Sequence, residues 1–270
     1  MNLEQVAEIM SYFQANPIFI SQLSPTSQLI SVNEVQYVLR QLNTRVLNTD
    51  ERVVLQQLIA HNCTVGPQVF IQFSSFHLVQ HIGGHTLFND SDLIAHPEVL
   101  KTLKTLHQVP IIGINNNWHE HLINYIIQNL QLNSAQLSKI QSLKQLKLSN
   151  YCKICICHCD AHAGNIIFRE NQPPALIDFE YSCEYYNYYD IACYIAEFCG
   201  IDFDVSFYPN AEQKLNILET YLEQKIQESE LEILKQFEIL CMGVWGIWGK
   251  EMGWTAYAEG RIKMFYNLLE

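Results

Sequence analysis

Three residues in the middle of the chain have the types and spacing for phosphoryl transfer: Asp160, Asn165 and Asp178. Asp160 follows an apolar run ending Cys157-His158-Cys159, Asn165 comes after Ala161-His162-Ala163-Gly164, and Asp178 closes a second apolar run, Ala175-Leu176-Ile177. One carboxylate can orient an acceptor hydroxyl and take its proton. A carboxamide oxygen and a second carboxylate are hard oxygen ligands of the kind Mg²⁺ takes alongside phosphate oxygens. Either half alone is a weak signal; in this order and spacing the two together are specific. Glu180 either supports this shell or the substrate, or is a surface ion-pair partner. His158 is expected to hydrogen-bond the local backbone rather than take part in chemistry.

These residues need short strands to hold them, and the pattern places strands at 153–158 and 174–179. Before them the chain reads as a short amphipathic helix over 3–14, strands within 17–42, a helix after Asp50, and β-rich runs at 68–73 and 76–82 that end at Gly83-Gly84. From residue 92 the period turns helical, over 92–107, 119–132 and 134–148, then in a helix opening at Asp190, then over 211–228, 230–250 and 255–269. The expected architecture is α+β: a β-rich, nucleotide-binding part over 1–82 and a mainly helical part over 83–270 that carries the loop and the substrate site.

Composition limits the partners. The chain has 270 residues, 49% of them hydrophobic, enough for one full core or two lobes. Against 28 acidic residues stand 16 basic ones, a formal charge of −12 with no basic block, which argues against nucleic acid and suits a small cationic substrate. Nine irregularly spaced cysteines do not form a disulfide framework. The N-terminus lacks the basic flank and apolar run of a signal peptide, and no apolar run reaches membrane-spanning length, so the expectation is a reduced, cytoplasmic protein. Cys152, Cys155, Cys157 and Cys159 also invite a zinc reading, with His158 and His162 nearby. A single Cys-x-x-Cys is a weak signal, and strand alternation puts Cys155, Cys157 and Cys159 on one side, as small core residues would be.

Toward the C-terminus, Trp245 and Trp248 share one helical face, and Trp254 and Tyr257 follow a glycine-containing bend. Such a group can form a box that holds a quaternary ammonium by cation–π attraction, or it can be a plain core stripe.

The chain resembles the choline/ethanolamine kinase family, within the wider group that includes the aminoglycoside phosphotransferases. The resemblance is carried by His158-x-Asp160 with Asn165, by Ile177-Asp178-Phe179-Glu180-Tyr181-Ser182, and by Tyr186-Asn187-Tyr188-Tyr189-Asp190-Ile191-Ala192. It continues in Trp245-Gly246-Ile247-Trp248 and in Tyr257-Ala258 before Arg261. It covers most of 20–266 and is faint before 76. It implies a two-lobed protein-kinase-like fold using ATP and Mg²⁺, with Asp160 as base and Asn165 and Asp178 on the metal. Arg40 would be the cation for the phosphates, Glu51 its ion-pair partner, and the backbone of 77–82, Gln80 and Ile82 included, would meet adenine. Asp190 would cap its helix and brace the loop. Glu197 would face the substrate's ammonium, beside Trp245, Trp248, Trp254 and Tyr257; an ordinary exposed Glu is the alternative.

One stretch departs from that pattern. Between the first two strands, where bare glycine backbone would approach the phosphates, stands Leu23-Ser24-Pro25-Thr26-Ser27-Gln28. The leading expectation is a kinase of a small amino alcohol, choline or ethanolamine. A kinase of thiamine or an aminoglycoside, and a ligand-binding pseudokinase, are the alternatives.

Overall fold

The computed structural model describes residues 3–25, 27–41, 65–72, 76–111, 113 and 117–270. Helix α1 (Leu3–Phe13) is followed by strands β1 (Ile18–Ser24), β2 (Ser27–Val32), β3 (Val35–Gln41), β4 (Val69–Gln72) and β5 (Phe76–Gln80), which form one antiparallel sheet in the order β1-β2-β3-β5-β4. The two-residue turn between β2 and β3 places Asn33 and Glu34 at positive φ, as a tight hairpin between right-twisted strands requires. One face of the sheet is apolar: Ile30, Val32, Tyr37, Leu39, Phe76 and Leu78 pack around Ile9 of α1. The opposite face carries Arg40 and His77, which stand directly across from each other on β3 and β5.

Gly84 marks the passage to the helical part. Its φ is +142°, and a Cβ there would stand 2.4 Å from the Phe168 carbonyl, so only glycine fits. The next residue, His85, exchanges two backbone hydrogen bonds with Phe168.

The helical part contains α2 (Glu98–Leu106), α3 (Trp118–Asn129), α4 (Ser134–Ser142), α5 (Asn187–Glu197), α6 (Ala211–Leu222), α7 (Ser229–Glu251) and α8 (Thr255–Leu269). Every residue of α5 is buried. Its sequence, apolar almost all round, makes it the central helix of this part, packed against α7. It begins at Asn187, three residues before the expected Asp190, because the Asn187 side chain is pinned from outside: it accepts from Lys153 N and donates to Tyr151 O.

Two small two-stranded sheets hold the 158–165 loop. Strand β6 (Ile154–Cys157) pairs with β9 (Cys183–Tyr186), and β7 (Ile166–Arg169) pairs with β8 (Gln172–Leu176). The strands read from sequence at 153–158 and 174–179 are β6 and β8; their partners β7 and β9 have four residues each and escaped the reading. No helix among the described residues is long and apolar enough to cross a membrane.

Candidate active site

The loop from β6 to β7 brings Asp160 and Asn165 together. The Asn165 amide donates to the Asp160 carboxylate Oδ2 at 2.8 Å and to the Asp160 carbonyl at 2.9 Å. Both amide hydrogens are thereby used, which leaves the carbonyl Oδ1 of Asn165 as its acceptor. Ile177 N donates to Asn165 O, so the residue before Asp178 is tied to the same loop. Asp178 itself is in the left-handed region, φ 64° and ψ 61°, and so is Cys159, φ 67°, immediately before Asp160. Non-glycine residues in this conformation cost about 1 kcal/mol or more, and the surroundings must over-determine them.

Those surroundings are built from buried polar groups. Asp190, fully buried on α5, accepts from His158 N (2.8 Å), Cys159 N (2.7 Å) and His107 Nε2 (2.8 Å). Burial alone would raise its pKa; the His107 hydrogen bond and the neighbouring donors outweigh it and hold the carboxyl below its ordinary range. Behind it, Asn187 donates to the Tyr221 hydroxyl (3.1 Å), which lies 2.7 Å from His107 Nδ1. Asp190 therefore braces the loop, as expected, but does not cap its helix, whose N-cap is Tyr186. His158 serves the backbone at both ring nitrogens: Nδ1 accepts from Asp160 N at 3.2 Å and Nε2 lies 2.8 Å from Ile177 O. Asp90, unremarkable in sequence, accepts from Ala163 N at 2.6 Å and holds the loop from the other side.

The cleft is acidic. The Asp160 carboxyl is pushed well above the usual carboxylate range, chiefly by burial and then by the charges of Glu197, Asp178 and Glu180; the Asn165 hydrogen bond opposes this. Arg40 reaches down from β3 to form an ion pair with Asp178, and its Nη2 lies 4.0 Å from Glu180. Gln80 ends β5, with its N–H donating to Gln68 O at 2.8 Å, and Ile82 follows half-buried in the connecting segment. Glu51 and the helix expected after Asp50, with Val54, Leu55, Leu58 and Ile59, lie outside the described residues.

The aromatic residues do gather. Ring centroids separate Trp245 and Trp248 by 5.2 Å, Trp248 and Trp254 by 5.0 Å, and Trp254 and Tyr257 by 5.9 Å. Tyr181, not singled out as an aromatic from the sequence, joins them at 4.9 Å from Trp245 and 6.2 Å from Trp248. Trp245 and Tyr257 are buried, Trp248 is half-buried and Trp254 is the exposed lip. Burial and then the charges of Glu180 and Asp160 raise the Tyr181 phenol, which sets the cluster beside the carboxylates. Glu197 is buried beneath and already engaged: Arg261 Nη2 lies 2.5 Å from its Oε1, and the Arg261 guanidinium stacks 4.3 Å over the Tyr257 ring.

The cysteines form a buried interior. The eight among the described residues are all free thiols. Cys155 and Cys157 sulfurs are 3.7 Å apart, and His107 brings a third possible ligand within reach. Both His107 nitrogens already have partners in Asp190 and Tyr221, and burial pushes the Cys155 and Cys157 thiols up, which keeps them protonated. His158 and His162 take no part in this group.

The family model for choline/ethanolamine kinase matches residues 10–266. The chain belongs to the choline/ethanolamine kinase family. Members of this family are phosphotransferases with an alcohol group as acceptor. Among the relatives, ethanolamine kinase 1 of Mus musculus is 27% identical over 83% of this chain and 73% of that protein. The Homo sapiens protein of the same name is equally similar, with 59% of its length covered. An ethanolamine kinase structure from Plasmodium vivax superposes with a TM-score of 0.73 at 20% identity, covering 92% of this chain and 81% of that one. The Streptococcus pneumoniae choline kinase LicA in complex with AMP aligns at a TM-score of 0.66 and 15% identity, over 98% of each chain. These superpositions establish the protein-kinase-like, α+β fold of the choline/ethanolamine kinase chain described above.

Proposed function

We propose that the protein is an ATP- and Mg²⁺-dependent kinase that phosphorylates the hydroxyl of a small cationic amino alcohol, choline or ethanolamine. The observation that carries this reading is a single turn. Residues Phe179–Tyr181 follow directly on Asp178; Glu180 faces Arg40, and the next side chain, Tyr181, lies against Trp245 and Trp248. Phosphotransfer carboxylates and a cation-binding aromatic group thus share one cleft.

Asp160 would accept the hydrogen bond of the acceptor hydroxyl, align it with the γ-phosphoryl group and take its proton. Since Asn165 holds Oδ2, the Asp160 oxygen left for the hydroxyl is Oδ1. Asn165 Oδ1 and the Asp178 carboxylate fit a magnesium ion by their chemistry, hard oxygens on a preformed loop, and the ion would supply charge neutralisation at the phosphate oxygens. Arg40 would exchange its Asp178 partner for phosphate, and the segment from Gln80 to Ile82 would meet the base. The crowding of Asp160 by Glu197, Asp178 and Glu180 would be relieved by the positive charge of a metal held at Asn165 and Asp178 and of the substrate's ammonium. With Glu197 paired to Arg261, the aromatic faces of Trp245, Trp248, Trp254 and Tyr257 carry most of the attraction for that ammonium, at about 0.5–2 kcal/mol per contact.

The test measures ADP release from Mg-ATP with choline, ethanolamine, thiamine and kanamycin. Wild type should turn over the amino alcohols, and Asp160→Asn should lower kcat by about 10²–10⁴-fold. Full activity in Asp160→Asn overturns the mechanism, and a preference for kanamycin overturns the substrate.

A further inference from the structure

We propose that His162 is the positioning residue for Asp160, holding one carboxylate oxygen so that the other meets the hydroxyl. This rests on the reading of Asp160 as the base. The imidazole folds back over its own loop: Gly164 N donates to His162 Nδ1 at 3.1 Å, which puts the ring proton on Nε2. Nε2 lies 4.0 Å from Asp160 Oδ2, the same oxygen that accepts from Asn165, and the ring would have to approach by about 1 Å for its N–H to hydrogen-bond that oxygen. On the other side of the ring, Asp90 Oδ1 stands 3.9 Å from Nδ1 while it accepts from Ala163 N. The ring is therefore set between two aspartates.

Gly164 is an independent sign that this place is built. A Cβ there would stand 2.8 Å from His162 Cε1 and 3.2 Å from Nδ1, so the fold-back depends on glycine at 164. The His162 side chain is 36% exposed and that of Asp160 only 16%. A carboxylate crowded by Glu197, Asp178 and Glu180 gains from each donor near it, and the His162 ring N–H stands 4.0 Å from the oxygen that Asn165 also serves.

Two variants separate positioning from folding. His162→Asn keeps an acceptor for Gly164 N–H but cannot reach Asp160; His162→Gln can place an amide N–H near the position of Nε2. With the preferred amino alcohol, His162→Asn should lower kcat by about 10- to 100-fold. KM for both substrates should stay within about threefold of wild type, and the Tm within about 2 °C. His162→Gln should recover most of the loss. Imidazole ¹⁵N NMR should show the Nε2–H tautomer, with a shift that moves in Asp160→Asn. Wild-type kcat in His162→Asn, or an Nδ1–H tautomer, overturns the proposal. Should wild type phosphorylate no alcohol while the ring shows Nε2–H and responds at Asp160, the substrate reading fails and the His162 placement is upheld.

Discussion

The two sides of the cleft are built on different principles. On the helical side, the 158–165 loop is fixed by buried groups: Asp190 accepts three hydrogen bonds, His158 engages backbone at both ring nitrogens, and Asp90 takes Ala163 N. On the sheet side, β1 exposes Ile18, Phe19, Ile20 and Leu23, and the glycine-free turn at 24–27 is tied by the Gln22 side chain, which donates to the carbonyls of Ser24 and Ser27 (3.2 Å for the latter). On the proposed function this loop aims a base, Asp160, and a metal ligand, Asn165, and it benefits from polar groups that are already oriented and cost nothing to reorganise. A surface that only cradles phosphate can be simpler, and on the proposed function Arg40 would supply its charge.

The sharpest way to break this contrast is Asp190→Asn. An amide NH₂ would face donors from His158, Cys159 and His107 inside a fully buried site. The expected cost is about 3 kcal/mol or more in urea unfolding, together with loss of most activity, since the left-handed Cys159 loses the bond that holds it. Unchanged stability and turnover would mean that the loop is held by something other than this carboxylate.

Arg40→Met tests the sheet side, with a smaller and different effect. Losing a charge-assisted contact to phosphate is worth about 1.5–3 kcal/mol, so KM for Mg-ATP should rise by about tenfold or more. Stability should move by less than about 1 kcal/mol, because the Arg40–Asp178 pair is partly open to water. Arg40→Lys should recover only part of the affinity, since a point charge does not reproduce the guanidinium fork. An unchanged KM would reduce Arg40 to a latch on Asp178.

The same contrast explains what could be read from the sequence. Asp160, Asn165 and Asp178 were legible because the loop and the β7–β8 hairpin keep them close in sequence, and α7 and α8 because long helices repeat their period. Strands β7 and β9 were not: β6 is equally short but apolar throughout, whereas β7 ends in Arg169 and β9 carries Glu184. The braces were hidden for another reason: His107 meets Asp190 across 83 residues, Asp90 meets Ala163 across 73, and Arg261 meets Glu197 across 64. Such pairs exist only once the fold has formed. Glu197 illustrates the cost, because its sequence neighbours gave no hint that an arginine already neutralises it. Tyr181 was in plain view inside a recognised motif, yet its place in the aromatic group depends on how α7 packs.

The smallest predicted effect lies beside Arg40. His77, buried on the cleft face of β5, has its pKa lowered from 6.5 to about 4, first by burial and then by the Arg40 charge, against an opposing pull from Asp178. Between these two values the unfolded chain binds a proton that the folded chain refuses, so stability rises with pH there. The contribution is fully present above about pH 6.5 and is lost as the pH falls toward 4, with a limiting slope of about 1.4 kcal/mol per unit. His77→Gln removes the titration and keeps a side chain of similar reach. Urea unfolding at pH 7.5 and pH 5.5 should therefore show wild type losing about 1 kcal/mol more than the variant on acidification. Parallel losses in the two proteins would show that His77 meets water or a hidden acceptor on the sheet side, and that this face of the cleft is wetter than the loop it opposes.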